Sequence, residues 1–86
     1  MSVGTKPQVR DVIEEHARLP VAVSSLGDDA DLFAAGMTSH ASVNLMLALE
    51  DAFDIEFPDE MLKRSVFESV SAISQAIDRL VGGDDA

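Results

Sequence analysis

Ser39-His40-Ala41-Ser42-Val43-Asn44-Leu45-Met46-Leu47-Ala48-Leu49-Glu50-Asp51-Ala52-Phe53 is the stretch that decides the fold. Ser42, Leu45, Met46, Leu49 and Phe53 recur at helical spacing, which gathers them into one buried stripe of an α-helix. At about 100° per residue the opposite face gathers Val43, Leu47, Glu50 and Asp54, with His40, Asn44 and Asp51 alongside. That face is apolar at its centre and acidic around it. It reads either as a solvated helix face with two ordinary exposed aliphatics or as a docking surface.

Upstream, Thr5 suits an N-cap and Pro7 the first turn of a helix, while Val9, Val12, Ile13 and His16 or Ala17 keep the helical period. The pattern predicts helix 1 over residues 6–18, stopped by Pro20. Between residues 21 and 38, Ser24, Ser25, Gly27, Asp28, Asp29 and Gly36 break any period. A connection that long needs anchors, and Val23, Leu26, Leu32, Phe33 and Met37 can supply them, with a short helical turn near residues 31–33.

Downstream, Pro58 and Asp59 open a brief third helix over residues 58–64, with Glu60 in its first turn and Met61 and Leu62 facing inward. Ser69 is a good N-cap for a last helix in which Val70, Ile73, Ala76 or Ile77, Leu80 and Val81 share a face. Gly82 and Gly83 should end it. No strand alternation or internal repeat appears. The expected fold is all-α: a four-helix bundle with a long loop between helices 1 and 2 and a short third helix. It is expected to be one domain over residues 1–86, with an ordered core at about 5–81 and a flexible tail over 82–86.

The chain has 86 residues, 47% of them hydrophobic, enough for one compact core and too few for a two-lobed enzyme. Sixteen Asp and Glu against six Lys and Arg give a net charge of -10. Such a field repels phosphate backbones and anionic membranes, so neither nucleic acid nor membrane is an expected partner, and a basic protein surface is. No Lys or Arg occurs between Arg18 and Lys63, whereas nine carboxylates lie from Asp28 to Glu60, which concentrates the charge around helix 2. With no Cys there is no disulfide, thiolate metal site or cysteine nucleophile. Asp28-Asp29-Ala30-Asp31 lacks the Gly and distal Glu of an EF-hand loop, and no metal site is expected. No apolar run approaches a membrane span and residues 1–4 lack a signal-peptide stretch, so the expected location is cytoplasmic. The free protein is expected to be a monomer.

Thr38-Ser39-His40 stands where the irregular loop becomes helix 2. One reading is a helix cap, since Ser and Thr oxygens accept orphan backbone amides. Two hydroxyls, however, exceed what a cap needs. With Thr38 as the cap, Ser39 takes the first helical position with a free hydroxyl, and a phosphate there meets the positive end of the helix dipole. Ser39 with His16 or His40 does not make a hydrolase: there is no Gly-x-Ser-x-Gly elbow and little room for a substrate pocket.

Asp31-Leu32-Phe33-Ala34-Ala35-Gly36-Met37-Thr38-Ser39, followed by Leu45-Met46-Leu47-Ala48-Leu49-Glu50-Asp51-Ala52-Phe53, resembles an acyl carrier protein. Phe57-Pro58-Asp59 and Val66-Phe67 extend the resemblance over nearly the whole chain. Thr38-Ser39-His40 replaces the family's Asp-Ser-Leu: Thr38 keeps a capping oxygen, while His40 removes an apolar contact. The resemblance implies that Ser39 carries a 4'-phosphopantetheine arm donated by coenzyme A, whose thiol holds cargo as a thioester. A chain without Cys can then do thioester work, and it catalyses nothing itself. Implied partners are a phosphopantetheinyl transferase, an acyl- or amino acid-activating ligase, and a downstream acyltransferase or synthase. They would meet His40, Val43, Asn44, Leu47, Glu50 and Asp51. Fatty-acyl, polyketide, peptide-synthetase and free-standing aminoacyl carriers share the scaffold, and the residues do not select among these cargoes. The competing function is an acidic helical adaptor without a prosthetic group, Ser39 serving only as a cap.

Overall fold

The computed structural model describes residues 5–82 of the chain. Helix α1 spans Thr5–His16, α2 Ser39–Phe53, α3 Arg64–Phe67 and α4 Val70–Gly82, with single 3-10 turns at Val23–Ser25 and Asp59–Met61. All regular structure among the described residues is helical, as expected, with the long first connection and a short third helix. Helix α1 packs against both α2 and α4. It runs antiparallel to α4: the Thr5 hydroxyl donates to Asp78, and Arg10 reaches Asp28, whose carbonyl accepts the Ser71 amide. Val9, Ile13, Leu32, Leu45, Leu49, Val70, Ile73 and Ile77 form the fully buried centre.

Helix α1 ends two residues before its predicted limit and well before Pro20. Arg18 adopts a left-handed backbone, φ 53°, which reverses the chain. Pro20 instead abuts Gly36: a Cβ added to Gly36 would stand 2.6 Å from Pro20 Cδ, and the φ of 122° at Gly36 already disfavours any side chain. Thr5, expected as a cap, lies within α1.

The long connection is held from both sides. Val23, Leu32 and Met37 are buried, Leu26 and Phe33 are partly buried, and Asp31 accepts the amides of Phe33 and Ala34, shaping the expected helical turn. The Leu32 amide donates to the Glu68 carbonyl at 2.7 Å, tying the loop to the start of α4. Arg10 donates to the Val23 carbonyl at 2.9 Å and to Asp28 at 2.6 Å.

Three further expectations, in α2, the third helix and α4, are corrected. In α2, Ala41 opens the buried stripe with Leu45 and Leu49, while Ser42 is half-buried and donates its hydroxyl to the Ser39 carbonyl. The third helix is not 58–64: the chain makes one 3-10 turn, breaks at Leu62, and resumes as Arg64–Phe67. Met61 stays partly inward, but Leu62 is 45% exposed, and Phe67 takes the core position against Phe57, ring centroids 5.1 Å apart and edge-on. In α4, Ser69 caps as expected, its Oγ accepting the Ala72 amide at 3.0 Å. Val81, expected on the buried face, is exposed, while Val70, Ile73, Ala76 and Ile77 are buried. The expected tail falls outside the described residues apart from Gly82, which closes α4.

Candidate functional site

The geometry at the start of α2 separates capping from chemistry. Thr38 has an extended backbone, φ -85° and ψ 165°, and its Oγ1 accepts the Ala41 amide at 3.0 Å. Its carbonyl accepts the Ser42 amide at 2.9 Å. Ser39 is therefore the first helical residue, exposed, and among the described residues no hydrogen bond engages its hydroxyl. The amides of Ser39 and His40 have no carbonyl one turn earlier to pair with, so the end of the helix presents positive partial charge.

Ser39 opens on a cleft of about 250 Å³, shared with Phe33, Ser42, Val43, Met46, Leu62, Lys63, Arg64 and Phe67. Arg64 lays its guanidinium over the Phe33 ring, Cζ 4.3 Å from the centroid. This cationic side of the site escaped the sequence reading; the signal was there, since Lys63-Arg64 is the only adjacent basic pair in the chain. Only folding shows that it shares a cleft with Ser39.

Of the six residues expected to meet partners, five form one exposed band along α2: His40, Val43, Asn44, Leu47 and Asp51. Val43 and Leu47, 51% and 53% exposed, are its apolar centre. Glu50 is set apart. It is half-buried, and its carboxylate accepts the Phe57 amide at 2.9 Å, fastening the α2–α3 connection. Helix α2 then ends on Asp54 in a left-handed conformation, φ 55°, while the Ile55 amide returns to the Glu50 carbonyl.

Elsewhere, Asp28 is drawn below the ordinary carboxylate range, chiefly by its hydrogen bond from Arg10, with desolvation opposing and Lys6, 3.5 Å away, assisting. Among the described residues no group of three His, Asp or Glu converges to hold a metal, and no helix is long and apolar enough to cross a membrane.

Comparison with known proteins gives a consistent result. The family described as phosphopantetheine attachment site matches residues 7–77. An aminoacyl carrier protein of Agrobacterium fabrum is 45% identical over 78 residues, covering 91% of this chain and 94% of that protein. The carrier protein from Agrobacterium tumefaciens, crystallised with an engineered Bradyrhizobium japonicum glycine:[carrier protein] ligase and AMP, superposes with a TM-score of 0.84 at 44% identity, covering 86% of this chain and 99% of that one. A glycylated carrier protein crystallised with the Bradyrhizobium japonicum ligase gives 0.72 at 27% identity, covering 83% and 95%. These matches favour a carrier over the adaptor without a prosthetic group. The chain thus belongs to the phosphopantetheine-attachment family, a carrier protein and not an enzyme, with 4'-phosphopantetheine as its prosthetic group.

Proposed function

We propose that Ser39 is the attachment residue and that the cargo is an amino acid, delivered by an amino acid:[carrier protein] ligase. The observation that carries this reading is the uncommitted Ser39 hydroxyl at the first position of α2, left free because Thr38 does the capping. An exposed oxygen at a positive helix end fits a phosphodiester without disturbing the core. In attachment, the Ser39 oxygen takes phosphopantetheine from coenzyme A, adenosine 3',5'-bisphosphate leaves, and the hydroxyl proton passes to the transferase. When bound, the arm supplies the thiol that this chain lacks. The amino acid assignment is supported by the relatives, one an aminoacyl carrier protein and two seen with a glycine:[carrier protein] ligase.

The band His40, Val43, Asn44, Leu47 and Asp51 is the proposed meeting surface for transferase, ligase and a downstream acyltransferase or synthase, with Glu50 adding charge at its margin. The chain acts here as a single carrier domain, monomeric when free and working in the cytoplasm, where coenzyme A and activated amino acids are drawn on. The test is intact mass after incubation with a phosphopantetheinyl transferase and coenzyme A, then with a glycine:[carrier protein] ligase, ATP and glycine. One arm and then one glycyl group are expected on the wild type, and neither on Ser39→Ala. Full modification of Ser39→Ala would assign attachment to another residue, and an arm without a glycyl group would remove glycine.

A further inference from the structure

Lys63 and Arg64 line the cleft onto which Ser39 opens, beside Phe33, Met46 and Leu62. Arg64 is not a freely waving side chain, because its guanidinium is laid over the Phe33 ring. In a molecule of net charge -10, the ion pairs among the described residues use Lys6, Arg10 and His16, and none uses Lys63 or Arg64. Among the described residues these two neighbouring cations thus have no carboxylate within ion-pair distance, on a cleft whose remaining wall is largely apolar. Their charge calls for an anion, and the Ser39 hydroxyl on the same cleft, once modified, would bring one covalently. We propose that Lys63 and Arg64 form a seat for the phosphodiester on Ser39, directing the arm across the Phe33 and Met46 side of the cleft. This rests on Ser39 being the attachment residue. Arg64 offers a planar fork of donors to two phosphate oxygens, and Lys63 adds a compact charge. Both act as positioning residues.

The test uses the full chain carrying the arm, verified by intact mass, and follows the phosphorus-31 resonance together with the Phe33 ring, Met46 methyl and Arg64 Nε–H signals. In the wild type, attachment is expected to shift all three protein signals. In the Lys63→Gln/Arg64→Gln double variant, the Phe33 and Met46 shifts should vanish and the phosphorus resonance should move to its position in the urea-unfolded protein. Arg64→Lys keeps the charge and loses the plane, and should restore most of the phosphorus displacement. Sulfate titrated at constant ionic strength should displace the wild-type resonance toward the same unfolded position. If the double variant does not fold, Lys63→Gln alone, at an exposed residue, should still show part of the loss. Identical phosphorus, Phe33 and Met46 signals in the modified wild type and the folded variant would overturn the seat while leaving attachment intact. No mass gain on the wild type would overturn the attachment reading and, with it, the seat's occupant.

Discussion

The Thr38 oxygen, 3.0 Å from the Ala41 amide, takes on the task that would otherwise occupy the neighbouring Ser39 hydroxyl. Replacing Thr38 by Ala should therefore cost about 0.5–2 kcal/mol of stability while leaving Ser39 open to modification. Urea denaturation and intact mass on the same sample check both halves; loss of modification in a folded Thr38→Ala would show that the two residues do not divide these tasks. Glu50 is the second residue whose role is settled by its partner. Its carboxylate holds the Phe57 amide, so Glu50→Ala should lower stability by about 1 kcal/mol, beyond any change in partner affinity. Asp54 sits in a conformation that glycine occupies more readily, and Asp54→Gly should raise stability by up to about 1 kcal/mol. A lowered melting temperature in that variant would mean that the Asp54 side chain contributes more than its backbone costs.

Helix α1 is bound to the loop through Arg10 and Asp28, and this tie has a pH signature. Because Asp28 titrates below its unfolded value, the stability it contributes is fully present above the ordinary carboxylate pKa and is lost as pH falls through the lowered folded one. The stability difference between wild type and Asp28→Asn should therefore be largest at neutral pH and shrink as pH falls below the ordinary carboxylate range. A difference that stays constant with pH would assign the contribution to hydrogen-bond geometry and not to charge. At this scale the sequence was most readable where periodicity was long: α2 begins and ends where its spacing predicts, and Ser69 caps α4 as its residue type suggests. The third helix was misplaced because four residues are too few for a period, and because its position follows from Phe67 seating against Phe57, ten residues earlier in the chain. The end of α1 was hidden for a similar reason. A left-handed Arg18 carries no signature in residue type, so Pro20 took a role that belongs to a backbone turn. The place of Ser39 at the first position of α2, with Thr38 as the cap, was legible from the local order of hydroxyls, whereas the sharing of its cleft by Lys63 and Arg64, more than twenty residues away in sequence, was not.

Over the whole molecule, charge and shape set how partners arrive. With the acidic charge concentrated around α2, Asp51→Lys should slow association with a basic partner surface and flatten its salt dependence, while Leu47→Ala should chiefly speed dissociation. Stopped-flow binding separates the two rates, and unchanged rates in both variants would move the meeting surface off α2. The cleft is small, open to solvent and edged by Lys63 and Arg64, so it should turn away a protonated amino group and have little room for a long acyl chain. Melting temperatures of protein loaded with glycyl or two-carbon groups should accordingly match those with eight- to ten-carbon groups; a clear rise with chain length would reveal a core able to open for fatty cargo. Two hydrogen bonds cross between the loop and the start of α4, the Leu32 amide donating to the Glu68 carbonyl and the Ser71 amide to the Asp28 carbonyl. An irregular segment pinned to a helix in this way should share its exchange protection and open with it as one unit, which amide hydrogen exchange checks. The segment leading to Ser39 is thus tied down by the fold itself. A partner that docks beside a segment already ordered by the fold spends little entropy on arranging it.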